Sequence, residues 1–376
     1  MRDRPHPAAD QAWPGPSLAR AAAILGRDFS PAAGLTLVLA RTRVAVLCDA
    51  PEAAKALARA FRDFRETRPE PGPADITILL HCRRPVPEDF CPGLTLDDRP
   101  FDPGEAASKE QWADLPGGRV VRKKRTGMVF VFGDAVHLAA GPCLDHLDQL
   151  VNFINFRVAA RHLAHGCLLS HASGVARGKR GLLLAGVAGA GKSTLALRLV
   201  GRGLDFVSND RLLLGPDTPR PRLYGLAKMP RINPGTALAD PNLARVVPEA
   251  DRDGYACLPE DRLWEVERKY DAVIGDLFGP GRFRLDAELF AVAVLTWRRG
   301  GGRAAISRVD LAGRPDLLAR IIKRPGIFLG SPRVLDHDRA AFAERLRGVT
   351  AFEIAGGVDF AAAADHLLDL MRRPGA

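Results

Sequence analysis

Gly186-Val-Ala-Gly-Ala-Gly191-Lys192-Ser193 matches the phosphate-loop pattern at every fixed position. Glycines are needed there because backbone N–H groups must turn inward around a polyphosphate, where side chains would obstruct them. Lys192 would reach the β and γ phosphates, and Ser193 would ligate magnesium. A helix from Thr194 to Val200 would aim its positive end at the anion. Gly186, Gly189, Ala190, Gly191, Lys192, Ser193 and Thr194 are therefore the candidate nucleotide-binding residues, with ATP and Mg2+ as the implied cofactors.

Further chemistry lies on either side of the loop. Phe206-Val-Ser-Asn209-Asp210-Arg211 reads as a buried strand ending in polar groups. A carboxylate at such a strand end holds magnesium directly or through water, which makes Asp210 the preferred catalytic and metal-binding acid beside Ser193. Upstream, His171 stands between the apolar run CLLS and the small residues ASG. It is open to two readings, a satisfied structural histidine or a group carried near the γ-phosphate by neighbouring strands of a parallel sheet. Tyr270-Asp-Ala-Val-Ile-Gly-Asp276 reads as an apolar strand, with Asp276 either a second acid near the metal or an ordinary turn residue. His171, Lys192, Asp210 and Asp276 form the candidate catalytic set.

These residues need elements to position them. GLLLAG, 181–186, predicts a strand feeding directly into the glycine-rich turn. Together with CLLSHASGVA it predicts two strands around an Ala-Arg-Gly-Lys-Arg-Gly turn over 167–186. Another strand is expected over 206–214, one over 271–275, and an Ala/Val-rich one over 287–297. LDHLDQLVNFINFRVAARHLAHG, 144–166, has helical spacing and stops at Gly166. Before it come strands at 35–40, 43–48 and 75–81, a helix at 51–64 opened by Pro51, and strands joined by basic turns over 117–140. The expected organisation is an N-terminal extension at 1–30, an N-terminal α+β domain at 31–143, a P-loop domain at 144–330 and a C-terminal helical region at 331–376.

Composition narrows the partners. A net charge of +10 is compatible with nucleic acid, but the basic residues are scattered and aromatics reach only 6%, which argues against an aromatic-studded nucleic-acid surface. The six cysteines form no C-x-x-C pair, and charge and proline interrupt every apolar run near the N-terminus. The expectation is a cytoplasmic protein with reduced cysteines and no membrane segment.

HASGVA at 171–176, GVAGAGKSTLAL at 186–197, RGLDFVSNDRLLL at 202–214, KMPRINPGTAL at 228–238 and KYDAVIGDLFGPGRF at 269–283 together resemble the HPr kinase/phosphorylase superfamily. The likeness is greatest to the HPr-kinase-related kinases of the type B group and covers most of 144–330. It implies an α/β P-loop kinase core related to HPr kinase and phosphoenolpyruvate carboxykinase, preceded here by the N-terminal α+β domain. It also implies transfer of phosphate to a protein serine, with His171 as the active-site histidine and Asp210 as the second of the family's paired aspartates. Homo-oligomers follow from the same resemblance, since the bacterial enzymes form hexamers.

Two departures matter. The family's Ala-Asp-Asp is Ser208-Asn209-Asp210 here, and an amide cannot accept a proton at physiological pH. Asn209 can still orient a hydroxyl or a metal-bound water, so either another group serves as base, with Asp276 and His171 as candidates, or positioning and metal charge supply most of the help. The C-terminal glycine-rich signature of the bifunctional enzymes is also absent, and Lys228, Arg231 and Asn233 precede Pro234-Gly235 instead. The leading reading is an ATP/Mg-dependent kinase acting on a protein hydroxyl. The alternatives are a small-molecule kinase with the same centre, or a nucleotide-controlled interaction module.

Overall fold

Alternating burial along Thr42–Cys48, in which every second residue is buried, identifies a strand with one covered face. Val129–Gly133 is instead buried on both faces over its first four residues, as expected deeper in a sheet. The computed structural model describes residues 16–67, 72–99, 107–217, 219–329 and 339–373. The proline-rich opening, the start of the expected C-terminal helical region and the last residues of the chain lie outside the described residues. Contacts divide the described chain into two units, one containing 16–38, 42–157 and 326–329, the other 39–41, 158–325 and 339–373.

The first unit is built on an eight-stranded sheet. At its heart Thr42–Cys48, Ile76–Cys82 and His137–Gly141 run parallel as neighbours, and Val129–Gly133, Gly118–Lys123 and Glu110–Leu115 continue the sheet antiparallel. Pro51 opens the helix Pro51–Ala60, which buries Ala53, Ala54 and Leu57. The helix expected to reach residue 64 stops at Ala60 and passes into a short 3-10 turn, Arg62–Phe64. Phe130, Phe153 and Phe328 pack with ring centroids 4.9 and 5.3 Å from Phe130. Arg157 lies in this aromatic core, its guanidinium 3.9 Å from the Phe132 ring and donating to the Phe328 carbonyl. Burial lowers its pKa to about 9.

The second unit carries a nine-stranded mixed sheet. Its centre is the long strand Asp286–Leu295, paired in parallel with both Arg180–Gly186 and Thr350–Gly356 and antiparallel with Arg222–Tyr224. Ala172–Arg177 is antiparallel to Arg180–Gly186 on one side and to Asp205–Ser208 on the other. The sheet around His171 is therefore not parallel, as the sequence reading assumed. Leu183, Val207, Leu212 and Val292 form part of its core. Among the described residues no helix is long and apolar enough to cross a membrane.

Three sequence expectations change in ways that matter to the site. The segment 167–186 forms three strands, Leu168–Ser170, Ala172–Arg177 and Arg180–Gly186, and His171 occupies the first break. The expected strand over 206–214 is two, Asp205–Ser208 and Leu212–Leu214, so Asn209, Asp210 and Arg211 sit in the gap. The strand expected over 271–275 ends at Asp271, and Ile274–Phe278 is a short helix.

Candidate functional site

The strand Arg180–Gly186 is buried from Gly181 to Gly186 and delivers the chain into the glycine-rich loop. At Gly186, with φ of 154°, an added Cβ would lie 3.0 Å from the Leu295 carbonyl oxygen. Gly191, with φ of 85°, caps the helix Lys192–Gly201 without a side-chain cap bond. The first amide N–H groups of that helix thus have no side-chain acceptor of their own at the cap, an arrangement that suits an anion.

Lys192 is only 7% exposed, and its Nζ donates to the carbonyls of Gly186 and Val187 at 2.9 Å each. Burial pushes its ammonium down to about 8, with Lys323 adding to the shift and Asp210 opposing it. Aromatic rings brace the loop. Trp297 Nε1 donates to the Ala190 carbonyl at 2.8 Å, and Phe360 packs edge-on against Trp297 at 5.0 Å. A Cβ at Gly191 would come within 2.7 Å of Phe360. Gly191→Ala should therefore combine left-handed strain with a clash. The variant is expected to lose about 1–2 kcal/mol from the backbone conformation alone, read as a lower urea midpoint; an unchanged midpoint would refute the account.

The polar gap after Asp205–Ser208 faces this loop. Asn209 Oδ1 accepts from Ser193 Oγ and from Ser173 Oγ, both at 2.7 Å. Asn209 therefore orients a hydroxyl, as an amide there can, and that hydroxyl belongs to the loop serine. Next to it Asp210 adopts a left-handed backbone, φ 64°. Its carboxylate lies 3.2 Å from His171 Nε2 and accepts from Lys323 Nζ at 3.0 and 3.1 Å. Burial would raise the carboxyl pKa, but the His171 hydrogen bond and the Lys323 charge outweigh it and hold the group well below the usual carboxylate range.

Backbone pairing brings Lys323 here. The His171 amide donates to the Ile321 carbonyl at 2.7 Å, Ser170 pairs with Ile322, and the Lys323 amide donates to Leu169 at 3.0 Å. Lys323 lies in a Lys-Arg-Pro-Gly run with no motif around it, so its partnership could not be read from the sequence.

Asp276 is not brought to this centre. It is exposed on the helix Ile274–Phe278, with Arg245 donating to its backbone carbonyl at 2.8 Å. The Phe278 ring on the same helix approaches Gly201, where the helix Lys192–Gly201 ends. Ten helical residues rise about 15 Å, so Asp276 belongs to the end opposite Lys192.

On the other side of the loop a cavity of about 710 Å³ is walled by Gly189 to Thr194. Trp264, Trp297 and Phe360 supply its aromatic lining, and Lys269, Arg298 and Arg299 its cations. Arg231 and Asn233 from the PRINPG turn also reach this wall, and Thr236 Oγ1 meets Thr194 Oγ1 at 3.0 Å. Aromatic faces beside cations and uncapped amides form a surface suited to a ring carrying phosphates. The hydroxyl of Ser193 and the carboxylate of Asp210 are hard oxygen donors, which fits magnesium better than a soft metal.

Together these features describe a mixed α/β protein organised around a glycine-rich loop with an acid, a histidine and two lysines beside it. No family model and no curated protein matches the chain. Among solved structures it is similar to the Hpr(Ser) kinase/phosphatase from Coxiella burnetii, at 13% identity and a TM-score of 0.29, over 54% of this chain and 87% of that one. At that level of likeness, function has to be argued from the site.

Proposed function

We propose that the protein is an ATP- and magnesium-dependent phosphotransferase that moves the γ-phosphate to a hydroxyl, with a serine of a partner protein as the favoured acceptor. The reading rests on one observation above the others, the contact of His171 and Lys323 with Asp210 beside the glycine-rich loop. A loop that only held nucleotide would have no need of an acid–base pair at its edge.

In this reading the loop amides and Lys192 hold the phosphate tail, and the cavity on the other side of the loop takes the base. Magnesium, held by Ser193 and Asp210, would supply charge neutralisation along the phosphates. Asn209 keeps Ser193 oriented through its Oδ1. Asp210, ionised, accepts a hydrogen bond from the Nε2–H of neutral His171, which leaves the lone pair on Nδ1. His171 then takes the acceptor hydroxyl's proton as its oxygen attacks the γ-phosphorus, and ADP departs with the electrons of the broken P–O bond. The base that the amide at 209 cannot supply is thereby assigned to His171.

The test is transfer from γ-labelled ATP with magnesium in a desalted lysate of the source cell, with Lys192→Ala as control. A labelled protein band that vanishes with the variant supports a protein kinase. Label in a small molecule would make the acceptor a metabolite, and label released only as inorganic phosphate would favour a nucleotide-controlled module.

Lys192 also sets a pH signature. Its free-state pKa near 8 means that the cradle loses its charge above that value, whereas a bound phosphate would keep the proton in place. Nucleotide affinity should stay level below pH 8 and fall by up to about tenfold per unit above it. Calorimetric titrations between pH 7 and 10 measure this, and a level affinity across the range would sink the idea.

A further inference from the structure

In the first unit, three parallel neighbouring strands end side by side and bring cysteines together. Thr42–Cys48 ends on Cys48, Ile76–Cys82 on Cys82, and His137–Gly141, whose Gly141 pairs with Cys82, is followed two residues later by Cys143. Cys48 Sγ lies 3.7 Å from Cys82 Sγ, and Cys143 is buried at the end of the neighbouring strand. All three are free thiols.

A carboxylate joins them. Cys48, Asp49 and Cys82 each present a ligand atom within 4.8 Å of the others. Asp49 Oδ1 accepts from the Cys82 amide at 2.8 Å, and Oδ2 lies 3.3 Å from His81 Nε2. His81 is held in turn by the Leu25 carbonyl, 2.8 Å from Nδ1. Both backbone groups of Ala50 meet Cys48 Sγ, the thiol donating to the carbonyl at 3.2 Å and the amide lying at 3.4 Å, which fixes the sulfur in place.

Buried cysteines commonly act as small apolar fillers. That account does not call for a carboxylate whose oxygen lies within 4.8 Å of two sulfurs, whereas metal coordination does. In a tetrahedral site with metal–sulfur bonds of about 2.3 Å, neighbouring sulfurs stand about 3.8 Å apart. A disulfide would need about 2.05 Å. Cys48 and Cys143 are almost wholly buried, while Asp49 and Cys82 are partly open and offer a way in.

We infer that Cys48, Asp49 and Cys82 hold a thiophilic divalent cation of the zinc type at the ends of the parallel strands, with the fourth tetrahedral position left to a small ligand from solvent. Sulfur donors select zinc over magnesium, so this site is chemically separate from the one at Ser193 and Asp210. His81 acts by orienting the Asp49 carboxylate.

The test uses the full chain, kept reduced and stripped with a chelator, and titrated with Co2+ as the spectroscopic probe. One equivalent should produce the intense visible bands of tetrahedral thiolate-bound cobalt, bleached when zinc is added. Cys82→Ser should weaken binding at least about tenfold, while Cys257→Ser, at an exposed thiol, should leave it unchanged. Should Cys82→Ser fail to fold, the wild-type protein decides. Zinc should slow alkylation of Cys48 and Cys82, mapped by mass spectrometry, and leave Cys257 reacting as before. An octahedral cobalt spectrum, or equal alkylation rates at the two thiols with and without zinc, would overturn the assignment.

Discussion

Lys192→Ala and Lys192→Met should both lower phosphoryl transfer by about a thousandfold, the order expected when a positive group is removed from developing phosphate charge. The ammonium is already strained by its surroundings, since burial pushes it down to about 8. Two backbone carbonyls, of Gly186 and Val187, hold it in place at 2.9 Å. Loss of that cation leaves the two carbonyls without a donor but also relieves a buried charge, and the two effects oppose each other. The thermal midpoint of Lys192→Met should therefore move by only a few degrees. Lys192→Arg should not restore activity, because a planar fork cannot replace a point charge in the same space. Steady-state rates with γ-labelled ATP and melting curves measured together decide the matter. A variant that retains transfer, or one that unfolds, would make Lys192 a structural residue.

Asp210→Asn is the second large effect. Asparagine tolerates the left-handed backbone at this position, so the substitution removes charge without forcing the chain to move. Lys323 loses its counter-ion, and His171 faces an amide that can donate as well as accept, so its tautomer is no longer set. Replacing a carboxylate that orients a histidine costs catalysis up to about 10⁴-fold in well-studied triads. A fall in kcat of about 10³ is expected here.

The same substitution should reshape acid stability. The Asp210 pKa is lowered in the folded protein, so its contribution is fully present above the ordinary carboxylate value of about 4 and is lost as pH falls toward the folded value. Because its side chain is half exposed, solvent screening keeps this contribution small. Urea midpoints between pH 2 and 6 should show wild type and Asp210→Asn converging as the acid limb is descended. Parallel curves would mean that the contacts of Asp210 do not stabilise the fold.

The glycine-rich loop was legible in the sequence because its whole signal is local. Strand, turn and helix follow one another without a break from Arg180 to Gly201. Asp210 was legible for a related reason, since it stands one helix and one strand further on. Lys323 was not, because it is carried to Asp210 by backbone pairing with Leu169 and His171, far away in sequence. Nothing in a Lys-Arg-Pro-Gly run announces such a partner.

Asn209 was visible as a departure whose amide can orient a hydroxyl, but not which one. Its Oδ1 joins Ser173 to Ser193 just past a register shift at Gly174/Val175 in the pairing of Ala172–Arg177 with Asp205–Ser208, which the residue pattern does not encode. Asp276 was misplaced by its apolar run, which reads equally as strand or helix when short. In the fold its backbone turns helical at Ile274, and the carboxylate leaves the centre. The cavity walls came from four remote segments, around Asn233, Trp264, Trp297 and Phe360, and only tertiary packing joins them.

Placing Trp264 and Trp297 on the wall of that cavity gives the molecule an intrinsic optical reporter. The chain has four tryptophans. Trp112 lies in the first unit beneath the Arg119 guanidinium and contributes a constant background, and Trp13 lies outside the described residues. Trp297 is tied through its indole nitrogen to Ala190 in the loop itself, so a ligand that shifts the loop alters the polarity around that ring. Emission intensity can therefore follow occupancy in real time, in unlabelled protein and with any candidate nucleotide, including ones for which no radioactive form is at hand.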